Sequence, residues 1–218
     1  MRIVIAGGHG KIALLLATVL TSRGDEVASI IRNPDHAADI EAAGAKPVLL
    51  DLERSGPVDV AAVLGGADAV VFAAGAGPGS TAERKYTVDR DGSVTLADAA
   101  QRSGVRRFAQ ISTMGAGKPP AAGTDAVWAA YIDAKTQAED DLRARDLEWT
   151  ILRPGRLTDD LGTGRVALAE PPGSYGSVPR ADVAAVIAEI LSATSTVGKT
   201  LELISGETPI AAAVAAVR

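Results

Sequence analysis

A chain of 218 residues, 47% hydrophobic and 22% charged, holds enough apolar mass for one large globular domain. Its net charge of −5, from 22 basic and 27 acidic residues, gives no basic face for a phosphate backbone and argues against nucleic acid as a partner. With no cysteine and only two histidines, His9 and His36, it excludes disulfides and cysteine-based metal centres and supplies no zinc ligand set, so no metal site is expected.

Aromatic residues are only 3%, so Val, Ile, Leu and Ala must build the core. The first apolar run, Ile3-Val4-Ile5-Ala6, is too short for a signal peptide, and glycines end it at once. No stretch approaches the ~18 uninterrupted apolar residues of a membrane span. The expectation is a cytoplasmic protein with no membrane partner. Lys11 to Arg23 has a helical period, with Ile12, Leu15, Leu16, Val19 and Leu20 on one side and Gly24 as its stop. Further short apolar runs follow at Val27-Ile31, Pro47-Leu50, Ala69-Ala73, Arg107-Ile111, Trp149-Leu152 and Leu201-Ile204. Several are continuously apolar, the pattern of strands covered on both faces. Helical stretches separate them at Ala82 to Ser103, Asp125 to Arg145 and Asp182 to Leu191. This alternation predicts βαβ units and a parallel sheet with helices on both faces. Gly75 to Ser80 is a glycine-rich loop directly after the fourth strand. Pro154 to Pro179 has no clear period. No linker suggests a second domain, so residues 1–218 are expected to form one unit.

The first strand runs into Gly7-Gly8-His9-Gly10-Lys11-Ile12-Ala13, a Gly-x-x-Gly-x-x-Ala spacing with a helix behind it. Gly7 permits the sharp exit from the strand, Gly10 lets the backbone approach a pyrophosphate, and Ala13 lets the helix pack close. The helix N-terminus adds free N–H groups and a partial positive charge. His9 reads as a solvent-facing residue of this turn. An acidic residue ending the second strand would favour NAD, and an arginine there the extra phosphate of NADP. Arg32 stands there, ~20 residues beyond the turn. NADP(H) is therefore the expected cofactor, with NAD(H) the lesser alternative.

Tyr131 and Lys135 are four apart in a helical stretch and share one face. An ammonium beside a phenol stabilises the phenolate, which then exchanges a proton with a carbonyl while a nicotinamide moves hydride. The spacing alone favours a Tyr131 packed on the sheet and a Lys135 paired with Glu139; the position between the fifth and sixth strands makes the catalytic reading competitive with it. The run Glu139-Asp140-Asp141 reads as a solvated helix face, Trp128 and Trp149 as packing residues, and Asp182 as a helix cap bracing its loop.

Taken together, the glycine turn, Ile31-Arg32-Asn33, Leu50-Asp51-Leu52, Val71-Phe72-Ala73-Ala74-Gly75, Gln110-Ile111-Ser112-Thr113-Met114-Gly115, Tyr131 to Lys135, Leu152-Arg153-Pro154-Gly155 and Arg180 to Ala184 resemble the short-chain dehydrogenase/reductase superfamily, in its atypical, NmrA-like, NAD(P)H-binding branch. The resemblance spans nearly the whole chain. It implies an α/β Rossmann-like, doubly wound domain with a seven-stranded parallel sheet of order 3-2-1-4-5-6-7, and a small substrate-covering region around 154–180. It implies cofactor contacts from Gly7, Gly8, His9, Gly10, Lys11 and Ile12 of the turn. Arg32, Asn33, Asp51, Leu52, Ala73, Ala74 and Gly75 would add others, with Lys135 on the ribose and Pro154 and Gly155 on the nicotinamide side. The implied catalytic residues are Tyr131, Lys135 and either Ser112 or Thr113. The implied activity is an NADP-dependent oxidoreductase of a small carbonyl, quinone or flavin-like acceptor. A non-catalytic NADP(H) sensor or partner-binding module is the alternative, with a nucleotide-sugar epimerase or dehydratase behind it. Asp89 stands where the superfamily often has an asparagine. A small-molecule substrate and a monomer or homodimer complete the expectation.

Overall fold

A computed structural model describes residues 1–120 and 123–218. The chain opens with β1 (Arg2–Ala6), α1 (Lys11–Ser22) and β2 (Glu26–Ile31). A 3-10 turn (Pro34–His36) and α2 (Ala37–Ala42) lead to β3 (Lys46–Leu49), α3 (Pro57–Leu64) and β4 (Ala69–Phe72). The helical stretch expected from Ala82 to Ser103 is built in three parts: a short α4 (Ala82–Arg84), a π-helical turn (Lys85–Asp91) and α5 (Gly92–Ser103). Gly104, at φ 75°, ends it in the left-handed conformation. Then come β5 (Arg107–Ile111), α6 (Ala126–Arg143) and β6 (Glu148–Pro154). Asp125 caps α6 by accepting from the backbone N–H groups of Val127 and Trp128.

Residues 156–179 are less irregular than their sequence suggests. They hold β7 (Arg156–Thr158), β8 (Arg165–Ala169) and β9 (Ser177–Pro179) before α7 (Arg180–Ile190). The chain closes with β10 (Lys199–Ser205), β11 (Thr208–Pro209) and α8 (Ile210–Ala215).

The sheet order is β11-β8-β10-β6-β5-β4-β1-β2-β3. Seven strands, from β3 across to β10, are parallel in the order the resemblance implied. The sheet is wider than expected, because β8 pairs antiparallel with β10 and β11 with β8, which makes nine strands. β7 and β9 form a separate parallel pair. The continuously apolar runs are buried on both faces, as strands between two helical layers must be. Leu16 and Leu20 of α1 join Val183 and Ile187 of α7 on one face, and Val60, Leu64, Leu96 and Phe108 fill the other. Each such side chain removed from water contributes about 1.5–3 kcal/mol. β1 and β4 are neighbours although their connections leave in opposite directions, so a crevice opens beyond their carboxyl ends.

Among the described residues, no helix is long and apolar enough to cross a membrane. Nor do three or more His, Asp or Glu side chains converge there on a position for a metal ion.

Candidate functional site

The crevice begins at the glycine turn. Gly7 has φ 80°, and a Cβ there would lie 2.5 Å from the Ala74 Cα, so only glycine fits. At Gly8 a Cβ would lie 2.5 Å from the Ser29 Cβ. The Gly8 N–H donates to the Ile30 carbonyl and that of Gly10 to Gly7, which bends the backbone toward β2 and into α1. The first turn of α1 then points N–H groups without helical acceptors at the crevice. Ala13 is fully buried, so the helix sits against the sheet as its small size allows.

A cleft of about 270 Å³ lies over this turn. Gly7, Gly8, His9 and Gly10 line it, with Arg32, Asp51 and Leu52 at the ends of β2 and β3. Ala73, Ala74 and Gly75, at the end of β4, form its other side. These expected residues therefore meet in one place. Lys11 and Ile12 do not line it: Lys11 reaches Asp159 at 2.6 Å, and Ile12 packs on the core. Asn33 is also outside the lining and accepts from the Asp35 N–H as a turn cap. His9 is not a simple surface residue. It lines the cleft, stacks on His36 and meets Asp39 at 2.7 Å.

Three ionisable lining residues were not legible in the sequence: Glu53, Arg84 and His36. Glu53 lies between two guanidiniums, accepting from Arg32 at 3.1 Å and from Arg84 at 2.6 Å. Thr87 is a third donor to it, at 2.7 Å. The Arg84 hydrogen bond holds the Glu53 carboxyl below its ordinary range. Arg84 carries no spacing signal, because a glycine-rich loop and a helical kink bring it back across the cleft. Asp51, two residues before Glu53, accepts the Glu53 N–H.

Tyr131 and Lys135 lie on α6, beyond the cleft lining. Lys135 is buried and does not pair with Glu139. Its Nζ stands 3.2 Å from Asp89 Oδ1, an ion-pair distance outside hydrogen-bonding geometry, and donates to the Ile111 carbonyl at 3.3 Å. Asp89 is 1% exposed, and its other oxygen accepts the Ala76 N–H at 3.0 Å. Gly75 must be small here, because a Cβ would lie 2.9 Å from Asp89 Oδ1. The Tyr131 ring has two ammoniums near it, Lys85 at 5.4 Å and Lys135 at 5.9 Å from its centroid. Lys85 donates to the Gly77 carbonyl at 2.8 Å and so holds the glycine-rich loop. Trp128 flanks the same ring at 5.2 Å but is half exposed, not the packing residue its helix suggested.

Ser112 and Thr113 follow β5 but differ in surroundings. Ser112 is buried and donates to Glu139 Oε1 at 2.5 Å. Thr113 is half-buried, with its hydroxyl on the Met114 carbonyl at 3.3 Å. Glu139 is fully buried, which corrects its reading as part of a solvated face. It accepts from Arg153 through both oxygens and from Arg143 at 2.7 Å. Asp140 and Asp141 do face outward. Pro154 and Gly155 end β6 outside the cleft lining, where the Met114 N–H donates to Pro154 and the Gly155 N–H to Leu203. Asp182 braces the 159–165 segment by accepting from Thr163 and Gly164; it does not cap α7.

A sequence-family profile described as NAD(P)H-binding matches residues 7–194. The chain belongs to this NAD(P)H-binding family. The match starts on Gly7, the residue whose conformation opens the cleft, and carries the atypical short-chain dehydrogenase/reductase resemblance with it. The chain is 33% identical over 214 residues to a Bacillus subtilis protein named uncharacterized sugar epimerase YhfK, covering 98% of each. A Bacillus halodurans structure assigned to the NAD-dependent epimerase/dehydratases superposes with TM-score 0.90 at 34% identity, covering 99% of both chains. The oxidoreductase ylbE from Lactococcus lactis gives 0.86 at 28% identity, covering 100% of this chain and 96% of the other.

Proposed function

We propose that this family member is an NADP(H)-dependent oxidoreductase of a small carbonyl, quinone or flavin-like acceptor. The observation that carries the reading is the Arg32–Glu53–Arg84 cluster at one end of the glycine-turn cleft. Two guanidiniums there suit a phosphate on the adenosine ribose, the feature that separates NADP from NAD. The cradle fits the rest of a dinucleotide: Gly7 and Gly10 admit the pyrophosphate, and Asp51 and Leu52 flank the adenine. NADPH supplies a hydride when bound. Toward it, Tyr131 would exchange a proton with the acceptor oxygen, and Thr113 would hold that oxygen, because the Ser112 hydroxyl already serves Glu139. The oxidoreductase name of the Lactococcus lactis neighbour supports the reaction class.

The test has two steps. Calorimetric titration should show NADPH binding more tightly than NADH; equal affinities would remove the arginine argument. Tyr131→Phe should then keep NADPH affinity and lose turnover against a panel of quinones and carbonyls. Unchanged rates would sink the role of Tyr131.

One observation favours a second reading, a non-catalytic NADP(H) sensor. Asp89 neutralises Lys135 inside the protein, so that ammonium is less available to a ribose or a phenolate than in a free Tyr–Lys pair. This reading predicts tight NADPH binding and no NADPH oxidation across the same panel. An epimerase, as the Bacillus subtilis relative is named, would return its nucleotide unchanged and show no net NADPH consumption.

A further inference from the structure

We propose that the stacked His9–His36 pair is a phosphate-binding element that takes up one proton when the dinucleotide enters the cleft. The inference rests on the NADP(H) reading above. His9 and His36 are the only histidines of the chain, and the fold brings both to one wall of the cleft. Their ring centroids are 3.5 Å apart at an interplanar angle of 12°. His9 comes from the glycine turn and His36 from the 3-10 turn after β2. The pair therefore spans the wall between the pyrophosphate position and Arg32.

The two rings are not equivalent. His9 Nε2 meets Asp39 Oδ2 of α2 at 2.7 Å. Among the described residues the His36 ring has no hydrogen-bond partner, and it lines the cleft half-buried. Two cations stacked this closely would repel, so the pair has room for one added proton and not two.

The surrounding charges give that proton a purpose. Arg32 of the β2 end and Arg84 of α4 face the cleft, and Asp51 and Glu53 beyond β3 balance them. Asp39 adds a negative charge behind His9, and Asp35 lies beside His36 in the same turn. Lys11, the cation of the glycine turn, is engaged with Asp159, which also binds Arg180. A dinucleotide brings several negative phosphate oxygens into a cleft whose lining charges sum to zero. An imidazole is the side chain whose charge changes between pH 5 and 8, so a proton from solvent on this pair supplies the missing positive charge. It binds a ring nitrogen, and the resulting N–H donates to phosphate.

The sign of the linkage follows. Binding favours the protonated pair, so affinity is highest at low pH and is lost as pH rises. The 2′-phosphate of NADPH has a second ionisation near ~6. On meeting arginines it releases its residual proton, the opposite sign.

The experiment is calorimetric titration of the whole protein with NADPH near neutral pH, in buffers of different ionisation heat, repeated with His36→Asn and His9→Asn. A net proton uptake is expected with the unaltered chain and is lost in either variant. NADPH affinity should fall about three- to tenfold between about pH 6 and pH 8.5, and stay level in the variants. Titration with NADH separates the sources: the same uptake assigns the proton to the pyrophosphate, and none assigns it to the 2′-phosphate. NADPH binding with no uptake or with release, or uptake surviving both substitutions, overturns the proposal alone. No NADPH binding overturns it together with the NADP(H) reading.

Discussion

Ser112 directs its hydroxyl at Glu139, 2.5 Å away, and both side chains are buried. The strand-end serine is thus a structural donor on a carboxylate that also holds Arg153 and Arg143. Ser112→Ala should cost about 1.5–3 kcal/mol, the value of a hydrogen bond to a charged group. NADPH affinity should change by less than about twofold. Urea denaturation and calorimetry on the same variant check both. Glu139→Ala should cost more, about 3–5 kcal/mol, because it leaves Arg153 buried without its counter-charge.

Arg32 and Arg84 share one carboxylate, so each alone should carry part of the discrimination between dinucleotides. Arg32→Ala and Arg84→Ala should each weaken NADPH binding about tenfold, or roughly 1.4 kcal/mol, and leave NADH within about twofold. A similar loss with both nucleotides would place these side chains on the pyrophosphate.

Glu53 gives a pH signature. The Arg84 hydrogen bond lowers its folded-state value below the ordinary 4.5, so its ionised form is favoured by folding. The stability it contributes is complete above that ordinary value and is lost as pH falls through the lowered one. Glu53→Gln should flatten the acid limb of a stability–pH curve. It should also tighten NADPH binding severalfold by freeing both guanidiniums, most visibly at low salt.

Two glycines with similar backbones separate strain from collision. Gly24 has φ 87° and nothing within 4 Å of an added Cβ, so Gly24→Ala should cost only about 1–2 kcal/mol. Gly7→Ala adds a collision with the Ala74 backbone to the same strain. It should destabilise more in thermal melts and abolish NADPH binding.

The sequence showed most clearly what repeats along the chain. The seven parallel strands and the glycine turn were readable because apolar runs and a fixed spacing state them locally. Glu53, Arg84 and His36 were not, because each reaches the cleft through a loop or helical kink that no periodicity encodes. Glu139 was misread for a related reason. Its neighbours Asp140 and Asp141 are outward-facing, and only the tertiary positions of Ser112 and Arg153 show where its carboxylate finds donors. Lys135 illustrates the limit differently: the sequence offered Glu139, one turn away, as its partner, but the carboxylate beside it is Asp89, on another helix. The strands β8 and β11 escaped notice because β8 lies in a segment interrupted by prolines and glycines and β11 is only two residues long.

Lys135 and Glu139 sit one turn apart on α6, and each is tied by charge to a different neighbour. A helix seated by hydrocarbon can slide or roll a little at small cost. This one cannot, since any displacement would strand an ion in an apolar layer. Its register is therefore all-or-none. Transplanting this site into another scaffold would require moving α6 together with Asp89 and Arg153, as one inseparable cassette.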